Sequence, residues 1–460
     1  MLFQLFAALL YSASFKPVGL WIAAPVALAI QIYAIRRAKH PELQAFFFAF
    51  LSSLIILSWS RVFVGVAPWF LLALLQGLLA IPLGLTTRFT KNLPSLIFVL
   101  LLLEEMRARF PFGGFSWTKI AFSQVESPYA PLVSLVGMAG LSMITLLIAS
   151  LILTRSLKVL SLLLFLLVPT VFIGKSAADL PTMQILAIQG GVQERGLNFN
   201  ARAQAVLDNH IKETRKSFSA EDELIIWPEN SIDIDPFTNR VAAEKIVNLA
   251  NETNRPLLAG AIIDSPTLVN ATVLFSAVGS PESTYVKRYL TPFGEYIPLR
   301  ALAGKVSAHV KRVQDFSPGI ESVQHKISET VVGSIICYEL LNDGLVREAA
   351  KGAGFISVHT NSATFSGSNE GEQQLAITRL RAIESGRSLV SISTTGPSAI
   401  IDHRGEVLQK LADGEVGSLS APIELRDSRT FVNQMGGFST LAVLLLAFSW
   451  ALITRRKGME

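Results

Sequence analysis

Long apolar runs follow one another through residues 1–175, and another closes the chain at 436–454. A bilayer's hydrocarbon core is crossed by roughly 20 apolar helical residues. Runs of this length argue against an ordinary soluble fold for these regions. Candidate spans are residues 2–14, 18–35, 43–60, 65–86, 93–106, 129–153, 157–174 and 436–454. Residues 180–430, between the last two, read like a soluble domain. The chain is 50% hydrophobic and only 16% charged, against about 25% charged in a typical soluble protein. The deficit falls in the two apolar regions. No basic stretch precedes the first run, whose first lysine is Lys16, so a cleavable signal peptide is not expected.

The distribution of basic residues orients the expected bundle. With eight spans and the N-terminus inside, the inner loops and tail hold Arg36, Arg37, Lys39, Arg88, Lys91, Arg155, Lys158, Arg455, Arg456 and Lys457. The short outer loops hold only Lys16, Arg61, Arg107, Arg109 and Lys119. Inner loops carry the basic excess in membrane proteins, which places domain 180–430 outside the cytoplasm. The loop from Glu104 to Pro128 is rich in glycine and aromatics, among them Phe112, Phe115, Trp117 and Phe122. It reads as an interfacial loop with amphipathic anchors, or as a lipid-facing wall beside an active site.

Several function classes drop out. A net charge of +5 without basic runs interleaved with aromatics gives no reason to expect nucleic acid. The six histidines are scattered without metal-ligand spacing, so no metal is expected. Gly174-Lys175-Ser176 lacks the glycine of a phosphate loop, having Pro169 in that place, and no cofactor is expected. A single cysteine, Cys337, excludes an intramolecular disulfide.

Within 180–430, strands are expected from Met183, Leu224, Pro256, Ala271, Thr284, Val331, Gly354, Ser388 and Ser398, the last running through to Gln409. Helices are expected over about 200–218, 240–253, 343–352 and 370–386. Buried strands alternating with amphipathic helices indicate a covered α/β sandwich. Polar residues stand where apolar strands end: Glu229 after LIIWP, Lys287 within TYVKRYL, and Cys337 after VVGSII. Ligands commonly bind at strand ends in α/β folds. The three residue types make a chemical set. A thiol needs a base to attack a carbonyl efficiently. A partly desolvated carboxylate can take its proton, and an ammonium can hold the developing oxyanion. Taken singly, each also has a plain reading: a buried structural cysteine, a solvated glutamate, an edge-strand lysine. His359 is a rival base for Cys337, though it would leave Glu229 and Lys287 without a role.

The stretches WPEN around Glu229, KRYLTPFGEYIP from Lys287 and ICYEL around Cys337 resemble the Glu-Lys-Cys motifs of the nitrilase, or carbon-nitrogen hydrolase, superfamily. With the apolar segments, the GGFSW loop and the closing span, the whole chain resembles the apolipoprotein N-acyltransferase family. This resemblance implies a nitrilase-like α-β-β-α sandwich on an eight-helix transmembrane bundle. It implies Glu229 as base, Lys287 as oxyanion stabiliser and Cys337 as nucleophile. Glu295 would be a second active-site carboxylate orienting Lys287, and Tyr338 and Glu339 would support the nucleophile.

The chain departs from the commonest pattern at Thr360-Asn361-Ser362-Ala363-Thr364-Phe365-Ser366-Gly367, which lacks the usual Trp and Asp and looks closer to the actinobacterial branch. The implied reaction moves a fatty acyl group from a membrane phospholipid, through a thioester on Cys337, to the α-amine of a diacylglyceryl-modified apolipoprotein. The implied setting is a bacterial cell membrane, and the expected state is a monomer. Two alternatives are a membrane-tethered amidase acting on a small extracytoplasmic substrate and a non-enzymatic lipid-binding scaffold. Thr291–Lys311, punctuated by Pro292, Gly294, Pro298 and Gly304 and carrying Phe293, Leu299 and Leu302, reads as a lid over the pocket.

Overall fold

The computed structural model describes residues 2–171, 180–192, 204–306, 310 and 313–456. The Gly174-Lys175-Ser176 triplet, the end of the 157–174 run and Lys311 lie outside them. Two compact units are present, one formed by Met1–Lys175 with Thr430–Glu460 and the other by Ser176–Arg429.

The first unit is helical: α1 (Leu2–Ala13), α2 (Ala23–Arg37), α3 (Pro41–Ile56), α4 (Ser60–Val64), α5 (Val66–Thr86), α6 (Leu93–Arg107), α7 (Val133–Thr154) and α8 (Leu157–Leu167). Three apolar stretches among the described residues are long enough to cross a membrane: Val66–Thr86, Ala130–Thr154 and Phe438–Arg455. The apolar helices Leu2–Ala13, Pro41–Ile56 and Leu157–Leu167 are shorter, and at 1.5 Å per residue each falls short of the roughly 30 Å core. Small residues let the helices approach. A Cβ on Gly84 of α5 would stand 2.4 Å from the backbone of Pro41 and Glu42 at the start of α3. Large apolar side chains such as Leu2, Phe3, Leu164 and Phe165 face outward.

In the loop after α6 the aromatics named above do not all stand as displayed anchors. Trp117 and Phe122 are buried rather than displayed, and Phe112 alone of the four named aromatics is strongly exposed. Polar contacts draw the loop inward. Lys119 Nζ lies 2.7 Å from Glu105 Oε1, with both side chains buried. The backbone N–H of Ile120 donates to Glu104 Oε1 at 2.6 Å. Trp117 packs on Trp59 with ring centroids 4.6 Å apart.

The second unit holds two six-stranded sheets. Its elements are β1 (Thr182–Gln189), α9 (Ala205–Ser217), β2 (Leu224–Ile226), α10 (Arg240–Thr253), β3 (Leu257–Ile263), β4 (Val269–Phe275), β5 (Pro281–Val286) and α11 (Arg300–Val306). There follow β6 (His325–Ile327), β7 (Thr330–Ile336), α12 (Asp343–Ala350), β8 (Phe355–Thr360), α13 (Glu370–Ser385), β9 (Leu389–Ser393), β10 (Ser398–Ile401), β11 (Val407–Leu411) and β12 (Gly417–Glu424). Two closing helices, α14 (Phe431–Met435) and α15 (Phe438–Arg456), belong to the first unit.

The sheet orders are β12-β1-β2-β3-β4-β5 and β11-β10-β9-β8-β7-β6. Each has three parallel strands at its heart, β1-β2-β3 and β7-β8-β9, flanked by antiparallel ones. Strand alternation sorts the core. Ile185 and Ala187 face the second sheet and meet Phe355, Val390 and Ile400. Leu186 and Ile188 face the other way, toward Leu207 of α9 and Ile246 of α10. Helices α12 and α13 pack on the second sheet, which completes α-β-β-α layering. Local chemistry sets the helix ends. Asn239 caps α10 by accepting from Ala242 N–H, Asn342 caps α12 through Gly344 and Leu345 N–H, and Gly386 ends α13 at φ 65°.

Several expected elements change. The continuous strand from Ser398 is a hairpin, β10–β11, turning through Asp402, whose carboxylate accepts from Arg404 and Glu406 N–H. LIIWPEN is strand only to Ile226, and β5 stops at Val286, so Lys287 stands just past a strand rather than inside one. Strands β6 and β12 and helix α11 were not anticipated. Helix α11 lies inside the expected lid, where Leu299 and Leu302 are exposed and the Arg300 guanidinium donates to the Val310 and Val313 carbonyls.

Candidate active site

Glu229, Lys287 and Cys337 each follow the end of a strand, β2, β5 and β7 respectively. Close backbone packing seats Glu229. A Cβ on Gly260 of β3 would stand 2.3 Å from Pro228 O and 2.6 Å from Glu229 Cα, so only glycine leaves this turn room. Trp227 just before it is buried and donates its indole N–H to Thr214 of α9 at 2.9 Å.

A buried polar network joins the glutamate to the lysine. Lys287 Nζ lies 2.8 Å from Glu295 Oε2 and 3.3 Å from Glu229 Oε1. It is 3.4 Å from Thr291 Oγ1. Asn270 of β4, missed by sequence reasoning, bridges the two carboxylates: its Nδ2 donates to Glu229 Oε1 at 2.6 Å and to Glu295 Oε1 at 2.7 Å. Its own backbone carbonyl accepts from Lys287 N–H at 2.8 Å. Asn270 stands one residue before the strand expected from Ala271, and nothing in the sequence marked it. Glu295 also accepts from Thr291 N–H at 2.8 Å, which folds the FGEYIP turn back on the lysine.

Cys337 is partly buried and adopts φ +50° at the strand-to-turn corner. A left-handed backbone is costly for a side chain with a Cβ and is kept where surroundings enforce it. Glu339 does so here. Its fully buried carboxylate accepts from Ile336 N–H at 2.9 Å, Arg288 N–H at 2.8 Å and the Tyr285 hydroxyl at 2.8 Å. One carboxylate thus pins the cysteine corner to the segment carrying Lys287. Tyr338 stacks on Tyr289, centroids 5.1 Å apart and planes 13° off parallel. From the other side, Gln374 Nε2 of α13 comes within 3.6 Å of Cys337 Sγ.

The electrostatics follow from burial with incomplete compensation. Burial pushes the Glu229 carboxyl up, the Lys287 ammonium pulls it down, and the Glu295 charge raises it again, leaving it above the ordinary carboxylate range. Burial works against the Lys287 ammonium, but the charges of Glu229 and Glu295 outweigh it, so the lysine stays cationic. Burial and the Glu229 charge hold the Cys337 thiol up, with Lys287 opposing. Such a thiol is protonated at rest and needs a base at the moment of attack, and a buried carboxylate of raised basicity suits that task.

His359 is no rival base. It is fully buried, with Nδ1 2.7 Å from Trp227 O and Nε2 2.8 Å from Ser357 Oγ. Burial lowers it to about 4, so it is neutral and ties the two sheets together. In the divergent stretch, Asn361 Oδ1 accepts from Ala363 N–H and the Thr394 hydroxyl, and Ser362 donates to Glu370. Among the described residues no cluster of metal-ligating side chains occurs.

A thiol on a strained corner of an α-β-β-α sandwich, faced by a buried Glu-Lys pair, defines the carbon-nitrogen hydrolase class, and that family matches residues 187–431. The apolipoprotein N-acyltransferase N-terminal domain matches residues 7–151. An apolipoprotein N-acyltransferase of Mycolicibacterium smegmatis is 32% identical, covering 94% of this chain and 81% of its own. Those of Shewanella oneidensis and Geobacter metallireducens are each 27% identical, covering 95% and 100% of this chain and 92% and 96% of theirs. The chain belongs to the apolipoprotein N-acyltransferase family.

Proposed function

We propose that this enzyme transfers a fatty acyl group from a membrane phospholipid to the N-terminal α-amine of a diacylglyceryl-cysteine apolipoprotein, through a thioester on Cys337. The observation that carries the residue assignment is the shared network of Glu229, Lys287, Glu295 and Asn270 set against the Cys337 corner. Glu229 takes the thiol proton as sulfur attacks the ester carbonyl. Lys287 holds the oxyanion. Its long contacts to Glu229 and Thr291, at 3.3 and 3.4 Å, leave N–H groups able to turn toward it. Collapse breaks the ester C–O bond, and Glu229 passes its proton to the departing lysophospholipid oxygen. The acceptor nitrogen then attacks the thioester, the C–S bond breaks, and the nitrogen's proton returns through Glu229 to sulfur. Glu295 and Asn270 orient the pair, while Tyr338 and Glu339 hold the corner.

The helical unit is proposed as a multi-pass membrane domain in a bacterial membrane, with the sandwich extracytoplasmic. Outward-facing leucines and phenylalanines and three helices of spanning length support this reading. So does the basic excess on one set of loops. Both substrates are lipids, and lifting each from the bilayer would cost about 0.8 kcal/mol per CH₂. Amide hydrolysis of a small soluble substrate is disfavoured, because the relatives matched along nearly the whole chain are acyltransferases. The test is the intact mass of the purified protein after incubation with phospholipid. One acyl chain added, released by hydroxylamine and absent from Cys337→Ala, is expected. An unchanged mass would reject the thioester route.

A further inference from the structure

The contacts above account for Glu229, Glu295 and Glu339 but leave a fourth buried carboxylate beside the nucleophile unused. Glu370 opens α13, four residues before Gln374, whose amide touches Cys337 Sγ. Residues four apart share a helix face, so Glu370 is on the face that meets the thiol. It is 3% exposed, and its side chain has one partner among the described residues, the Ser362 hydroxyl at 3.2 Å. An ionised carboxylate can accept about four hydrogen bonds, so most of its capacity is unspent. No cation pairs with it among the described residues, in contrast to Glu229, which is taken by Lys287 and Asn270. A first-turn glutamate serving only the helix dipole would ordinarily be solvated; burial beside a reactive thiol is a different placement.

We infer that Glu370 is the acceptor-amine site: its carboxylate receives the α-ammonium of the incoming lipopeptide beside the Cys337 thioester and takes the proton that must leave nitrogen before attack. This rests on the acyl-transfer reading. An ammonium has no lone pair and cannot attack a thioester. Transfer of one proton to Glu370 leaves a neutral amine, which attacks the thioester carbon. A C–N bond forms and the C–S bond breaks. The second nitrogen proton goes to Glu229 and then to sulfur, and Glu370 returns its own proton to water. Negative charge from Glu229 and Asp413 surrounds the site and favours a cation there. Burial raises the Glu370 carboxyl to about 8, so at rest it holds a proton, which it gives up to water as the α-ammonium arrives, because a positive charge alongside favours the carboxylate.

The experiment follows the two half-reactions in the full chain in lipid nanodiscs. Wild type, Glu370→Gln and Glu370→Asp are acylated by phospholipid, read by intact mass, then chased with a synthetic diacylglyceryl lipopeptide or with hydroxylamine, which is uncharged at neutral pH. Glu370→Gln is expected to form acyl-Cys337 normally and to discharge it normally to hydroxylamine. Its discharge to lipopeptide should fall about 10²-fold, the scale of a lost proton acceptor, and Glu370→Asp should restore part of it. Normal discharge of Glu370→Gln to lipopeptide overturns the inference. So does equal slowing with both nucleophiles, or loss of acylation in both variants, which would make Glu370 a support of the pocket. A wild-type protein that never acylates instead removes the acyl-transfer reading itself.

Discussion

Two buried lysines, one in each unit, show how similar ionic clusters serve different ends. In the helical unit Lys119 pairs with Glu105 at 2.7 Å, and Glu105 also holds Arg109 at 2.9 Å. In the sandwich Lys287 pairs with Glu295 at 2.8 Å and more loosely with Glu229 at 3.3 Å. Both lysines are almost inaccessible. The first cluster ties a loop back to Glu105 of α6. The second lies beside a thiol and keeps two long contacts, to Glu229 and Thr291. A buried ion pair is weak evidence of function or of stability by itself; what matters is whether a reactive group shares the cluster.

The largest effect should come from the thiol. Cys337→Ala is expected to abolish the acyl-enzyme while the thermal unfolding midpoint stays close to wild type, because loss of one partly exposed sulfur removes little packing. The Lys287 cluster then becomes as inert as the Lys119 cluster. Residual acyl-enzyme by intact mass would break the comparison.

Exchanging each lysine for methionine tests the comparison directly. Lys287→Met should slow thioester formation about 10²–10³-fold, as loss of an oxyanion donor does. It should also shift the pH profile. The base works ionised, so the rate falls as pH drops through the raised Glu229 range, and without the ammonium that holds Glu229 down this limb moves to higher pH. Lys119→Met leaves Glu105 without its buried partner and should destabilise the helical unit by roughly 3 kcal/mol, the low end for a broken buried pair given the remaining Arg109. Its thioester rate per folded molecule should not change. Burst kinetics and unfolding in detergent separate the two variants, and equal slowing in both would erase the distinction.

Two glycines offer a finer comparison. A Cβ on Gly84 would collide with the start of α3, and one on Gly260 with the Pro228–Glu229 turn. Both alanine variants should lose stability, by about 1–3 kcal/mol for overpacking. Only Gly260→Ala should also slow the thioester step, by displacing the base. Unchanged burst rates in Gly260→Ala would show that Glu229 tolerates the shift.

A further effect is a pH slope in stability. Glu370 is raised from 4.5 to about 8 by burial, so folding favours its protonated form. Its contribution is present below about 4.5 and is lost as pH rises toward about 8. Unfolding midpoints of wild type should therefore decline across that window more than those of Glu370→Gln. Parallel curves would mean that Glu370 titrates normally.

The sequence alone determined the alternation of strands and helices in the sandwich, the apolar helical character of the flanking regions, and the three strand-end residues that converge on one site. These were legible because periodicity, strand ends and local motifs are properties of short stretches. Tertiary structure alone decided that Asn270 bridges Glu229 and Glu295, that Glu339 ties the cysteine corner to the lysine segment, and that Glu370 and Gln374 face the thiol. It also buried Lys119 and Trp117 in a loop whose aromatics the sequence suggested as displayed anchors. The reason is that burial and sheet register join residues tens of positions apart. Asn270 looks like any polar residue in a strand until β4 is placed beside β3, and a glutamate in the first turn of a helix looks solvated until that helix packs on the second sheet.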